Sequence, residues 1–256
     1  MSQPSLASLR RPLSAAPAYT RDAALDLVKW LAIVTMFIDH LRYAAPGFDW
    51  TYIPGRLSFP LFCLAIAANI ARTRNEPIVL PWRYLGWLLA FSVVSEWPYR
   101  LLVPFAQTIN IMPTLALGLL VTHTIAHPRG WAVPVGTAAL AVGLYFGEYL
   151  QYGAPGMLLI PACYYALLRP RQCWVMPIVP CLAANYWPDI YEAAGRGDLS
   201  AWVVIALCGL PPVFGIWLLR RRIPFKVPPV GRWAYLFYSA HLFVLAGIAS
   251  LFLPAV

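Results

Sequence analysis

Apolar runs of roughly fifteen to twenty residues, separated by short polar stretches, repeat from Ala24 almost to the C-terminus. A membrane-spanning helix needs about 20 mostly apolar residues. On that rule the pattern predicts about nine helices: Ala24–Leu41, Leu57–Ala71, Tyr84–Trp97, Ile109–Ala126, Trp131–Leu150, Pro155–Leu168, Cys173–Trp187, Ala201–Leu219 and Ala234–Phe252, within a range of about eight to eleven. The second, third and sixth are short. Prolines gather at the ends of the runs, as in RLSFP, SEWPYR and RRIPFKVPP, where a helix can stop without losing an internal hydrogen bond. A membrane barrel would instead need alternating strands of about ten residues. The expected fold class is therefore all-α, a polytopic helix bundle.

Composition agrees. Hydrophobic residues make up 61% and charged residues 11% of the 256, against about 25% charged in an ordinary soluble domain. The chain divides into a polar tail, 1–23, and a single transmembrane domain, 24–256. Arg10 and Arg11 are followed by no apolar core of signal-peptide length before Leu25, so the tail reads as retained. The five cysteines lie in or beside apolar runs without metal-ligand spacing and read as small core residues.

The net charge of +9 changes the picture only through its placement. With the N-terminus in the cytoplasm, fourteen Lys and Arg fall on the inner side and four, Arg42, Arg56, Arg100 and Arg196, on the outer side. That asymmetry is the positive-inside signature of a multi-pass inner-membrane protein, and it accounts for the basic excess without nucleic acid. It also sends Asp39, His40, Arg56, Glu96 and Glu148 to the outer ends of their spans.

Ionisable groups inside a bilayer are costly and usually line a cavity or a pathway. Asp26 and Lys29 are one turn apart and suit an ion pair. His40 follows Asp39 at a helix end, where an imidazole can serve as a general base. Adjacent helical residues do not face each other, so Asp39 is free to hold Arg56 or a neighbouring helix. The short loop to GRLSFPLF returns Arg56 to the same lip as a donor for an oxyanion or a carboxylate, and Glu96 and Glu148 arrive there from the third and fifth spans. His241 falls near the middle of the last span, one turn after Tyr238; it suits either packing or a substrate path. His123 and His127 have metal-ligand spacing but no third ligand, and no metal is expected. The last inner loop, with Arg220, Arg221, Arg222, Lys226 and Arg232, suits an orientation anchor or a dock for cofactor phosphates.

Five ordered motifs, ALDLVKWLAIVTMFIDHL, GRLSFPLFCLAIAANIAR, VSEWPYRLL with NIMPTLALGLL, EYLQYGAPGMLLIPACYYAL and YLFYSAHLFVL, resemble the TraX family, the pilin acetylases of F-type conjugation systems. The opening is also similar to the LDxxRGxA pattern of wider membrane acyltransferases, with Lys29 and Trp30 in place of its Arg-Gly. The resemblance implies acetyl-CoA as co-substrate and, as acceptor, the N-terminal amine of a pilin subunit at the membrane. It would place the CoA phosphates on the Arg220–Arg232 loop, Tyr238 and His241 along a tunnel, and His40 at the outer mouth as base or acetyl carrier. Arg56 would stabilise the oxyanion, and Glu96 and Glu148 would hold the amine. Acylation of a surface glycan or lipid on the same scaffold, and small-molecule transport, are the rival readings.

Overall fold

In the computed structural model, which describes residues 22–73 and 82–252, the described residues are helical with no strand. The polar tail up to Arg21, and Arg74, lie outside the described residues. The helices are α1 (Ala23–Ala44), α2 (Tyr52–Gly55), α3 (Ser58–Arg72), α4 (Trp82–Leu102), α5 (Met112–Ala126), α6 (Ala132–Tyr145), α7 (Gly153–Leu168), α8 (Pro170–Cys173), α9 (Ile178–Ala184), α10 (Pro188–Gly195), α11 (Leu199–Gly209), α12 (Pro211–Leu219) and α13 (Trp233–Phe252).

Asp22 starts α1 by accepting the Leu25 amide at 3.0 Å, and it also pairs with Arg72 at the far end of α3. The Ser58 hydroxyl at the other end of α3 donates to the Ala32 carbonyl at 3.0 Å. Those two bonds set α3 antiparallel to α1. Ring contacts fix α13 parallel to α1: Trp30 lies 5.2 Å from Trp233, Phe37 6.4 Å from Phe237 and His40 5.0 Å from His241, centroid to centroid. α4 runs beside α13, with the Ser95 and Ser239 hydroxyls 2.7 Å apart in the buried seam. The core lies among α1, α3, α4, α5, α7 and α13, where Leu61, Leu64, Leu88, Leu119, Ile160 and Leu242 are fully buried. α5 and α7 meet closely at Gly118, where a Cβ would strike the Met157 carbonyl and the Ile160 side chain. Large apolar side chains such as Val93, Trp97, Val244 and Leu251 point outward from α4 and α13, an apolar exterior suited to lipid.

The helical class is as the pattern predicted; the spans differ. Two helical runs among the described residues are long and apolar enough to cross a membrane: Asp49–Arg72, 24 residues through α2 and α3, and α13, 20 residues. A third follows if α11 and α12, bent by 45°, form one pass. That bend falls on Pro211–Pro212, which interrupts the predicted Ala201–Leu219 helix because proline supplies no amide to the ladder and its ring crowds the preceding turn. α1 and α4 have the length, at 22 and 21 residues, but carry charged residues within them. α5, α6 and α7 are apolar and shorter, at 15, 14 and 16 residues. The predicted Cys173–Trp187 span is divided into α8, a turn and the seven-residue α9, and Pro188 opens an additional short helix, α10. Asp198 then caps α11 by accepting from the Ser200 hydroxyl and amide, which hold its carboxyl below the usual carboxylate range.

Candidate active site

A cavity of about 330 Å³ runs alongside α1. At one end it is lined by Lys29, Asn69, Gly231 and Arg232; at the other by Asp39, His40, Gly55, Gln151 and Tyr152. Lys29 and His40 are eleven residues apart on one helix, so the cavity extends about 16 Å along the axis. Its middle is apolar, walled by Met36, Phe62, Ala65, Ile66, Leu88 and Leu115. One end is cationic, the other carries an imidazole, and the passage between them is apolar.

The imidazole end is held by packed polar contacts. His40 Nδ1 lies 2.7 Å from Nε2 of His241, and His241 Nδ1 lies 2.9 Å from the Phe237 carbonyl. Asp39 turns away from its neighbour. Its carboxylate is 3.4 Å from Arg56 and 3.6 Å from Arg42, one turn on along α1. Arg56 is 6% exposed; it donates to the Asn185 side-chain oxygen at 2.9 Å and sits over the Tyr52 ring at 4.1 Å. Asn185 in turn donates to the Cys181 carbonyl at 2.9 Å, so α9 is joined through Arg56 to α1. Gly55 lies against Asp39 so closely that a Cβ would occupy the place of the carboxylate. Tyr152, in a left-handed turn before α7, stacks on Phe59 at 4.0 Å and closes the wall opposite His40.

The fold brings together some of the predicted residues and separates others. His40, Asp39, Tyr238 and Arg232 all line the cavity. His241 and Arg56 stand behind that wall: His241 supports His40, and Arg56 supports Asp39. Glu96 is directed elsewhere, bonded to Arg100 at 2.7 Å and to the amide and side chain of Asn110 at 2.9 and 2.8 Å, which fastens the segment between α4 and α5. Glu148 is exposed on the 3-10 turn Gly147–Tyr149. Neither carboxylate lines the cavity: Glu96 is taken up by Arg100 and Asn110, and Glu148 faces outward. Arg220, Arg221, Arg222 and Lys226 are exposed on the loop that leads to Arg232, with Arg221 over Trp217 at 4.7 Å. That loop is fastened to the start of α1: Trp30 donates to the Pro228 carbonyl at 3.0 Å and Asp26 accepts the Val230 amide at 3.3 Å. Asp26 also pairs with Lys29 at 3.7 Å, as their spacing predicted.

Sequence reasoning missed Asn185, Gly55, Tyr152 and the placement of Lys29 in the cavity. Asn185 had a signal, an amide inside an otherwise apolar run. Arg42 had another, since it follows Asp39 by three residues on the same face. Gly55 and Tyr152 had none, because their roles depend on which helices meet. Among the described residues no cluster of three metal-ligating side chains occurs.

A family model described as "TraX protein" matches residues 24–249. The chain belongs to the TraX family. The match takes in α1 through most of α13, including every residue of the cavity wall. Among curated relatives, the Protein TraX of Escherichia coli strain K12 is 27% identical over 229 residues, covering 88% of this chain and 86% of its own. A second Escherichia coli Protein TraX is 25% identical over 231 residues, with the same coverage. The probable fimbrial assembly protein FimC, serogroup H1, of Dichelobacter nodosus is 27% identical over 245 residues, covering 88% of this chain and 95% of its own. No solved structure matches this chain.

Proposed function

We propose that this TraX-family protein is a multi-pass acetyltransferase of the bacterial inner membrane that moves an acetyl group from cytoplasmic acetyl-CoA to the N-terminal amine of a membrane-embedded pilin subunit. The observation that carries the reading is the single cavity joining a cationic end, Lys29 and Arg232, to the imidazole of His40 about 16 Å away along α1. Such a passage suits a slender acyl-thioester arm whose phosphates stay outside and whose thioester must reach a base. Kinship with a protein named for fimbrial assembly supports an acceptor of the pilin kind.

In this reading Arg232 and the exposed Arg220, Arg221, Arg222 and Lys226 hold the anionic end of acetyl-CoA by charge-assisted hydrogen bonds. The apolar middle of the cavity, with Tyr238, lodges the arm and excludes water. His40 acts at the thioester. An α-amine with pKa about 7.7–8.0 is mostly protonated at neutral pH, so a base must prepare it or take the proton as the C–N bond forms. The same imidazole could instead accept the acetyl group and pass it on. Asp39, Arg42, Arg56 and Asn185 form the buried frame that keeps the α1 end in register, and Asp39 offers a carboxylate at the cavity wall.

Intact-mass spectrometry of F-type pilin, co-expressed with the wild type or with His40→Ala, tests this. An added acetyl group on the pilin N-terminus with wild type alone supports the reading. Pilin unmodified in both cases, with CoA released in the presence of a glycan or lipid acceptor, would move the activity to those acceptors. No CoA release with any acceptor would remove the enzyme reading and favour transport.

A further inference from the structure

His40 and His241 meet on two parallel helices, 201 positions apart in the chain, and the third member of their contact decides what each nitrogen can do. The Phe237 carbonyl only accepts, so the nitrogen 2.9 Å from it, Nδ1 of His241, must carry a hydrogen. A neutral His241 then has a lone pair on Nε2. That lone pair faces His40 Nδ1 at 2.7 Å, so the hydrogen of His40 has to be on Nδ1. What remains is His40 Nε2, without a hydrogen, on a residue that lines the cavity. A neutral imidazole left to itself in water prefers the hydrogen on Nε2, the form that would present a donor where a base is needed.

We propose that His241 is a positioning residue: the chain from Phe237 carbonyl to His241 to His40 locks His40 in the tautomer that turns a bare Nε2 toward the cavity. This rests on the acetyl-transfer reading for its use, though not for its geometry. In that use the neutral amine nitrogen attacks the thioester carbonyl; the C–N bond forms and the C–S bond breaks. The proton leaving nitrogen goes to His40 Nε2, while the Nδ1 hydrogen stays on His40 and is donated to His241 Nε2 through a bond that becomes charge-assisted as the imidazolium forms. His40 then returns the proton to the departing thiolate, which leaves as the thiol of CoA. The order carbonyl, orienting group, base is the general pattern by which an imidazole is held to one task.

The arrangement also gives the α13 histidine a reason to lie four residues after Phe237. The ring reaches back one turn to the carbonyl of its own helix, with the Phe237 ring stacked on it at 5.2 Å, and so is held from two sides. A packing residue would need no such pair of contacts.

Nitrogen-15 NMR of the full chain in detergent, labelled at histidine, reads the tautomer directly. His40, His123, His127 and His241 are assigned by single substitutions, and the spectra are taken where His40 is neutral. In wild type His40 should show Nδ1 protonated and Nε2 bare. In His241→Leu the hydrogen should move to Nε2. In His241→Gln, whose side-chain oxygen can accept from His40 Nδ1, it should stay on Nδ1. Acetyl transfer should fall about 100-fold in His241→Leu, within the range general-base contributions reach, and recover at least in part in His241→Gln. A wild-type His40 with its hydrogen on Nε2, or a tautomer unchanged in His241→Leu, would overturn the proposal. If His241→Leu does not fold, the wild-type spectrum decides alone. A locked tautomer in a protein that transfers no acetyl group to any acceptor would uphold this inference and remove the proposed function instead.

Discussion

Gly55 lies against the carboxylate of Asp39, so a turn between two helices and a charged side chain of the first share one volume. The absence of a side chain at Gly55 is what lets Asp39 reach Arg56 at 3.4 Å while remaining on the cavity wall. The two residues are sixteen apart in sequence, and the return of the chain through Asp49–Thr51 and α2 brings them together.

Gly55→Ala should therefore destabilise the protein by about 1–3 kcal/mol, the range for forcing extra volume into a packed site. Thermal unfolding in detergent would show a lowered Tm. An unchanged Tm would mean that the turn can withdraw from α1.

Removing one partner of a buried ion pair leaves the other charge uncompensated and costs about 3–5 kcal/mol. Arg56→Leu should fall in that range, since the guanidinium is buried between Asp39 and Asn185. Asn185→Ala should cost less, about 1–3 kcal/mol for an unsatisfied buried partner. A double-mutant cycle should show the two losses to be non-additive, because they act on the same guanidinium. Additive losses would separate α9 from this frame.

Glu96 and Glu148 should behave differently from His40. Glu96→Gln weakens the clamp on Arg100 and Asn110 and should lower the Tm while leaving turnover per folded molecule near wild type. Glu148→Gln, at an exposed position, should change neither, within about 0.5 kcal/mol. A loss of turnover with unchanged Tm in either variant would bring that carboxylate back to the acceptor.

Ala65 is buried and lines the apolar middle of the cavity. Ala65→Phe should obstruct the passage and raise the KM for acetyl-CoA about tenfold or more, as expected when binding to both ground and transition states is removed. Competition between acetyl-CoA and a short acetyl thioester lacking the phosphates would check the cause: the short donor should be less affected. Equal loss with both donors would place the obstruction at His40 instead.

Helix content and the basic loops were legible in the residues themselves. Long apolar runs ending in prolines determine helices, because an apolar backbone must bond to itself and proline ends the ladder. The i, i+3 spacing of Asp26 with Lys29 likewise predicts their pairing, since a single helix sets that geometry; the same spacing of Asp39 with Arg42 went unread. The breaks at Pro211 and around Pro177–Pro188 were marked by the same residue type, yet the hydropathy pattern read through them, because average apolarity does not register a lost amide.

The sequence by itself thus determined an apolar helical protein with a small set of charged and imidazole side chains that had to be buried among helices. Only the tertiary structure decided which of them meet. His40 stands near the end of α1 and His241 in the interior of α13, and their separate positions along each helix say nothing about a shared level. They meet because α1 and α13 pack in parallel, with ring contacts at Trp30–Trp233 and Phe37–Phe237 leading up to the level where His40 and His241 face each other. Glu96 was equally ionisable and equally placed near a helix end, but its helix turns it toward Asn110. Side-chain chemistry is local to a residue, whereas a site is a relation between helix faces, and those faces are set by packing across the whole bundle.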